Sequence, residues 1–124
     1  NGLGNTIARV AKLAEASGLE FPVKKLTKTY REEQAKAFED FRFDSVLQSI
    51  WNLDLSPIDI HINQEAPWTR KGDELQRVLQ YEIDEIRLLA EKLKPFLPET
   101  AEKIEKQFAG PQIKAGAPLF PRIK

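Results

Sequence analysis

One stripe of apolar residues constrains this chain most, because it requires a long helix with a single buried face. Between positions 75 and 93, apolar side chains recur every three or four residues, as they do on one side of an α-helix. Asp73 with Gln76 three residues later predicts the N-terminal cap, and Pro95 predicts the end. The stripe consists of Leu75, Val78, Leu79, Ile83, Ile86, Ala90 and Leu93. Such a helix is stable mainly through packing, so other segments must supply matching apolar faces.

Three further segments with the helical period supply such faces. The first covers residues 3–17 and ends at Gly18, with Leu3, Ile7, Val10 and Ala14 facing inward. The second opens at the capping box of residues 29–32 (TYRE), and its predicted inner face carries Ala37, Phe38 and Phe41. A short helix starts at Pro98 and runs through Ile104 to Phe108, with Gly110 beyond it.

The segment from about residue 43 to residue 65 holds one more helix and an ambiguity. Its predicted inner face comprises Val46, Leu47, Ile50, Trp51 and Leu53. Pro57 removes a backbone donor, so we expect the helix to kink or to restart with Ser56 as N-cap. Residues 58–62 alternate between apolar and polar, which alone is typical of a strand. We reject a strand, because no other segment offers a partner, and we expect Pro67 to end the helix.

These patterns predict an all-α fold, an antiparallel bundle of about five helices that forms one domain over residues 1–124. Residues 111–124 contain three prolines and one glycine, so we expect an extended tail. Its apolar residues Leu119, Phe120 and Ile123 are predicted to pack back on the bundle.

The composition narrows the chemistry that the chain can perform. It has 124 residues, no cysteine, one histidine and a formal net charge of zero. We therefore predict no metal site and no catalytic residue, since His61 alone cannot form a histidine cluster. A neutral chain does not suit a general nucleic-acid binder, but it allows recognition of a few unstacked bases. The absence of methionine indicates a domain cut from a longer polypeptide.

Two polar residues of the first helix form a candidate site. Asn5 and Arg9 are four residues apart, so they lie one above the other, nearly opposite the apolar stripe. An amide and a guanidinium together suit the Watson–Crick edge of an unstacked base, and cytosine fits their donors and acceptor. The spacing alone is also typical of an exposed polar pair without a binding role.

Trp68 is the second candidate, because it follows Pro67 just beyond a helix end. Tryptophan is usually a core or interface residue, and Trp51, among apolar neighbours, is predicted to be one. A tryptophan held past a helix terminus by proline can instead offer its ring to a base, and such stacking contributes ~1–3 kcal/mol.

Residues 3–9 (LGNTIAR), 63–68 (NQEAPW) and 118–123 (PLFPRI) together resemble the C-terminal anticodon-binding domain of methionyl-tRNA synthetases, in the family's order. The resemblance implies that Asn5 and Arg9 read the first anticodon base and that Trp68 stacks on it. It also gives Asn63 a supporting role, although the family often has aspartate there. Asp59 and His61 depart from the asparagine and tyrosine that are usual at these positions.

The resemblance further implies a parent enzyme that ligates methionine to its tRNA with ATP in the cytoplasm. The expected partners are methionine-specific tRNA and the enzyme's own catalytic domain, with no membrane. The His-Ile-Gly-His and Lys-Met-Ser-Lys-Ser signatures of class I synthetases are absent, so we expect neither catalytic activity nor a cofactor in this segment.

Two alternatives stay open at this point. One is the equivalent domain of another class I synthetase, such as those for isoleucine, valine, leucine or cysteine, which would read a different anticodon. The other is a helical interaction module without an RNA role, in which Trp68 and the tail form a protein interface.

Overall fold

The computed structural model describes residues 2–23 and 32–114, and in these ranges every regular element is helical. The α-helices are α1 (Gly2–Ser17), α2 (Glu32–Glu39), α3 (Phe43–Ile50), α4 (Ser56–Glu65), α5 (Gly72–Leu93) and α6 (Pro98–Gln107). A π-helical segment, Trp51–Leu55, joins α3 to α4 without a break, and a 3₁₀ turn, Pro67–Thr69, precedes α5. Because α3, the π-helical segment and α4 form one continuous rod, the described part has five helical rods. The predicted all-α bundle is confirmed.

Helix α5 is the centre of the bundle and packs against α1, α3, α4 and α6. Its predicted stripe faces the core, and Leu75 and Val78 at its start are only partly covered. The residues of the stripe that are fully buried are Leu79, Ile83, Ile86, Ala90 and Leu93. Helix α1 contributes its whole predicted face, which consists of Leu3, Ile7, Val10 and Ala14. Gly18 then ends α1 in the left-handed conformation (φ +67°), which glycine adopts without strain.

Pro57 does not break the rod, because the backbone changes to π-helical hydrogen bonding in the segment just before the proline. The Ser56 N–H donates to the carbonyl of Trp51, five residues back, and the Ser56 hydroxyl donates to the same oxygen at 3.2 Å. Ser56 is therefore not the N-cap that we expected, since Leu55 takes that position with helical dihedrals. The wider turn shifts the register before Pro57, and a proline is tolerated at the start of an α-helical stretch.

A buried polar network holds the π-helical segment in place. The Lys92 ammonium lies 2.9 Å from Asp54 Oδ1, and Gln34 Nε2 donates to Asp54 Oδ2 at 2.9 Å and to Ser49 Oγ at 3.2 Å. Lys92 and Gln34 are both almost fully buried. The network joins α2, α3 and α5 around the carboxylate that the π-helical segment supplies. Buried charges require such partners, because desolvation penalises each of them.

Other details of the sequence prediction are wrong or lie outside the described residues. Phe41 is 78% exposed and left-handed (φ +58°), because α2 ends at Glu39 and the turn into α3 points this ring outward. Asp73 does not cap α5: the N-cap is Lys71, without a side-chain cap bond, and Asp73 lies in the first turn. Trp51 is partly buried and packs against the core as predicted. The capping residue Thr29 falls outside the described residues.

The described start of the tail lies against the bundle. The Phe21 N–H donates to the carbonyl of Pro111 at 2.5 Å, and Ile113 is buried. Gln107 Nε2 donates to the carbonyl of Lys114 at 3.1 Å. The predicted docking of Leu119, Phe120 and Ile123 concerns residues that the structure does not describe.

Arg87 connects the segment just after α6 to the segment after α1. It donates to four backbone carbonyls, those of Phe21 (2.9 Å), Pro22 (2.9 Å), Phe108 (2.9 Å) and Gly110 (3.3 Å). Its side chain is only 9% exposed, and this burial lowers the pKa of Arg87. The guanidinium thus satisfies carbonyls that two non-helical segments cannot pair internally.

Candidate functional site

Three of the four residues predicted for the site lie together. The Arg9 guanidinium carbon lies 5.7 Å from the centroid of the Trp68 ring, within the range of a cation–π contact. The Arg9 Nη2 also donates to Asn63 Oδ1 at 3.0 Å. The contacts join α1, α4 and the 3₁₀ turn, and both Asn63 and Trp68 are exposed. We call Arg9, Asn63 and Trp68 the Arg9–Trp68 cluster.

The end of α4 explains why Trp68 faces solvent. Ala66 is left-handed (φ +46°), and its N–H still donates to the carbonyl of Ile62 at 3.0 Å, which closes the helix. Pro67 then starts the 3₁₀ turn and is buried, so its ring anchors the turn while the next side chain points outward. Trp68 is 58% exposed. The structure therefore places this tryptophan at the surface and not in the core.

Arg70 stabilises the same turn, and nothing in the sequence pattern predicted its role. Its Nε donates to the carbonyl of Glu65 at 2.6 Å, and its Nη2 to Glu65 Oε2 at 2.7 Å. Its Nη1 pairs with Glu74 in the first turn of α5. A partly buried guanidinium with three bonds in fixed directions holds the end of α4 against the start of α5. The position of Trp68 between them is fixed as a consequence.

Asn5 lies one turn before Arg9 on α1 and is exposed. The residue after it, Thr6, is buried, and its hydroxyl bonds both carboxylate oxygens of Asp59 at 2.9 Å. This contact fixes α1 on α4 directly beside the Arg9–Trp68 cluster. Asp59 is the aspartate that departs from the family pattern, and here it serves the packing of the two helices. In the sequence, only the position of Thr6 on the apolar side of α1 indicated that this residue would be buried.

Behind the Arg9–Trp68 cluster lies a buried carboxylate. The Glu82 side chain is 0% exposed, and its Oε2 lies 2.6 Å from His61 Nδ1. Its Oε1 is buried without a hydrogen-bond partner. Burial raises the pKa of Glu82, and nearby Glu65 raises it further, while His61 and Arg9 oppose the shift. The electrostatic contact with Arg9 connects this pair to the Arg9–Trp68 cluster.

The chemistry of the site is that of a binding surface. An exposed indole offers a stacking face, and the adjacent guanidinium and amide offer hydrogen-bond donors in fixed directions. Among the described residues no group of acidic or histidine side chains has the arrangement of a metal site. Over the same residues, no helix is long and apolar enough to cross a membrane. The arrangement suits a planar, polar ligand such as a nucleobase.

Comparison with known proteins shows that the chain is similar to several methionine–tRNA ligases. The chain is 27% identical, over an alignment 157 positions long, to the methionine–tRNA ligase of Clostridium acetobutylicum; the alignment covers 99% of the chain and 24% of that protein. It is 28% identical to the Bacillus subtilis enzyme (72% of the chain, 17% of the enzyme) and 31% identical to that of Rickettsia felis (68% and 17%). The chain thus spans a quarter or less of the length of these relatives. No family model matches the chain, and no solved structure matches it significantly. The predicted resemblance is confirmed by these relatives.

Proposed function

Because this chain is related to a part of the methionine–tRNA ligases, we propose that it is their anticodon-binding domain and binds the anticodon loop of methionine tRNA. In this proposal the parent protein joins methionine to that tRNA in the cytoplasm, and its catalytic domain uses the ATP. The present domain takes no part in the chemistry and needs no cofactor. It holds the far end of the tRNA so that the acceptor end reaches the catalytic domain.

The observation that carries the proposal is the exposed Trp68 ring with the Arg9 guanidinium beside it. Unstacked bases of RNA loops bind by stacking on aromatic rings and by hydrogen bonds to their exposed edges. A base stacked on Trp68 would lie next to the free N–H groups of Arg9. Because the chain has no net charge, such local contacts must supply most of the affinity.

In this proposal Asn63, Arg9 and Asn5 have different roles in recognising the base. Asn63 Oδ1 is occupied by Arg9, so Asn63 fixes the direction in which the guanidinium points. The remaining Arg9 donors then face the base, and Asn5, one turn earlier and exposed, offers an amide oxygen as acceptor. Cytosine presents an amino donor next to two acceptors, which is the complement of this set.

The experiment is a binding titration with a labelled RNA hairpin that carries the methionine anticodon loop. Trp68→Ala should weaken binding by about 1–3 kcal/mol, because it removes the stacking face. Phe41→Ala is the matched control, since Phe41 is also an exposed aromatic residue. It precedes the rod of α3 and α4, roughly 30 Å from the Arg9–Trp68 cluster at 1.5 Å per residue. It should leave the affinity unchanged.

The same titration separates the competing functions. Higher affinity for a hairpin with a different first anticodon base would favour the anticodon domain of another synthetase. Equal affinity of the wild type and Trp68→Ala for every hairpin, with both proteins folded, would contradict the anticodon assignment and favour a protein interface at Trp68. In the full ligase, amino-acid activation without tRNA should be unaffected by Trp68→Ala.

A further inference from the structure

His61 is the only histidine of the chain, and it is not part of the Arg9–Trp68 cluster. Its Nδ1 lies 2.6 Å from the fully buried carboxylate of Glu82, while 23% of its side chain is exposed. One edge of the imidazole is therefore directed into the protein and held there. The other ring nitrogen, Nε2, is not among the buried polar atoms that lack a partner, so we assign it to the exposed part of the ring.

Two neighbours fix the plane of the ring and its place in the site. The Tyr81 ring lies 4.4 Å from the imidazole, tilted by 40°, and Tyr81 is itself 48% exposed. Two residues after His61, Asn63 accepts a hydrogen bond from Arg9. Arg9 also acts electrostatically on Glu82, so the His61–Glu82 pair lies within the electrostatic reach of the Arg9–Trp68 cluster.

We propose that the His61–Glu82 pair is a proton-linked RNA contact, in which the pair takes up one proton and His61 Nε2 then donates a hydrogen bond to a backbone phosphate beside the base on Trp68. This inference rests on the proposed function, since it names a second contact on the same RNA. It assigns a binding role to His61 and a positioning role to Glu82.

The position of the protons follows from the geometry of the pair. Without the extra proton, Nδ1–H donates to Glu82 Oε2, and Nε2 is a hydrogen-bond acceptor that repels a phosphate. With the extra proton there are two arrangements, an imidazolium beside a carboxylate or a neutral imidazole beside a carboxylic acid. In both, the inner hydrogen bond uses Nδ1, so Nε2 carries a hydrogen. Proton uptake thus changes Nε2 from acceptor to donor and changes the charge of the pair from −1 to zero.

The surroundings of the pair favour uptake of this proton when RNA binds. A buried carboxylate whose Oε1 lacks a partner is costly to keep ionised. The charged and titratable groups that face the pair are Arg9 on α1, Glu65 on α4 and Tyr81 on α5. Arg9 favours the ionised carboxylate, and Glu65 opposes it. An approaching phosphate adds negative charge and so favours the proton-bound form by linkage.

The test measures affinity for the anticodon hairpin between about pH 6 and about pH 8.5, across the range in which imidazole changes charge. Wild-type affinity should rise at least about tenfold on acidification, as expected for one charge-assisted hydrogen bond. His61→Gln should bind with an affinity that no longer depends on pH in this range. Trp68→Ala should bind more weakly throughout and keep the pH dependence.

Calorimetry on the wild type provides a test that does not depend on any variant. Binding in two buffers of different ionisation enthalpy near neutral pH should reveal net proton uptake, and His61→Gln should abolish it. A wild-type affinity without pH dependence, or the same dependence in folded His61→Gln, would overturn the inference while leaving anticodon binding intact. If Trp68→Ala and the wild type bind the hairpin equally, the proposed function fails first and this inference fails with it.

Discussion

The guanidinium of Arg9 lies 5.7 Å from the ring centroid of Trp68, although one belongs to the first helix and the other to the turn after α4. Three local features produce this contact. The left-handed Ala66 ends α4, the buried Pro67 anchors the turn, and Arg70 ties it to α5. These features position Trp68, and the contact between Thr6 and Asp59, which joins α1 to α4, brings Arg9 to it.

The first prediction is that Arg9 and Trp68 act as one unit in RNA binding. Arg9→Ala and Trp68→Ala should each weaken binding of the anticodon hairpin by ~1–3 kcal/mol. The double variant should lose less than the sum, because residues in contact share their interaction energy. Strict additivity of the three titrations would mean that the two side chains contact the RNA independently.

The second prediction concerns Asp59, which bonds the buried hydroxyl of Thr6 through both carboxylate oxygens. Asp59→Ala leaves that hydroxyl without its partner, so the free energy of unfolding should fall by about 1–3 kcal/mol. Urea denaturation measures the change. Thr6→Val combined with Asp59→Ala should recover part of the loss, because both polar groups are then absent. No recovery in the double variant would show that the carboxylate has another structural role.

Helical periodicity predicted most of the fold, since one buried face is enough to identify each helix. The apolar faces of α1 and α5 are those expected, and Ile58 and Ile62 are buried while Ile60 is exposed. The π-helical segment could not be predicted, because its Asp54 pairs with Lys92, which lies on a helix far along the chain. Phe41 was misplaced for a similar reason: its exposure follows from where α2 stops.

The candidate site was only partly visible in the sequence. Spacing predicted that Asn5 and Arg9 share a face of α1, and Pro67 predicted the unusual position of Trp68. The contribution of Glu82 was hidden, because its neighbours in sequence give no sign that a carboxylate will be buried against His61. The roles of Arg70 and Arg87 were hidden as well, because they depend on backbone carbonyls. Arg70 donates to one such carbonyl and Arg87 donates to four. Such partners emerge only when non-helical segments are brought together.

The third prediction is that Arg87 stabilises the fold through its hydrogen bonds more than through its charge. Arg87→Lys keeps the charge but cannot reach four carbonyls with one ammonium group. We expect a loss of roughly 1–3 kcal/mol in the free energy of unfolding, because the partly buried carbonyls of Phe21, Phe108 and Gly110 lose donors. Arg77→Lys is the matched control on the same helix, because Arg77 is exposed. Equal stability of the two variants would contradict the role given to Arg87.

The last prediction uses the buried Glu82 to set the pH dependence of stability. Burial raises its pKa in the folded protein above the ordinary value of 4.5, so the folded state binds the proton more tightly than the unfolded state. The resulting stabilisation is present below the ordinary pKa and is lost as the pH rises through the raised one. The Glu82→Gln variant has no carboxyl group at this position and therefore lacks this contribution.

Denaturation of the wild type and Glu82→Gln over a pH series isolates this effect. The variant should gain stability relative to the wild type as the pH rises above about 4.5, and the gain should level off above the raised pKa. Glu102→Gln makes the same charge change on an exposed position of α6 and should show no such trend. A difference that instead favours the wild type increasingly at higher pH would mean that His61 and Arg9 outweigh the burial of the carboxylate. The pKa of Glu82 in the folded protein would then be lowered.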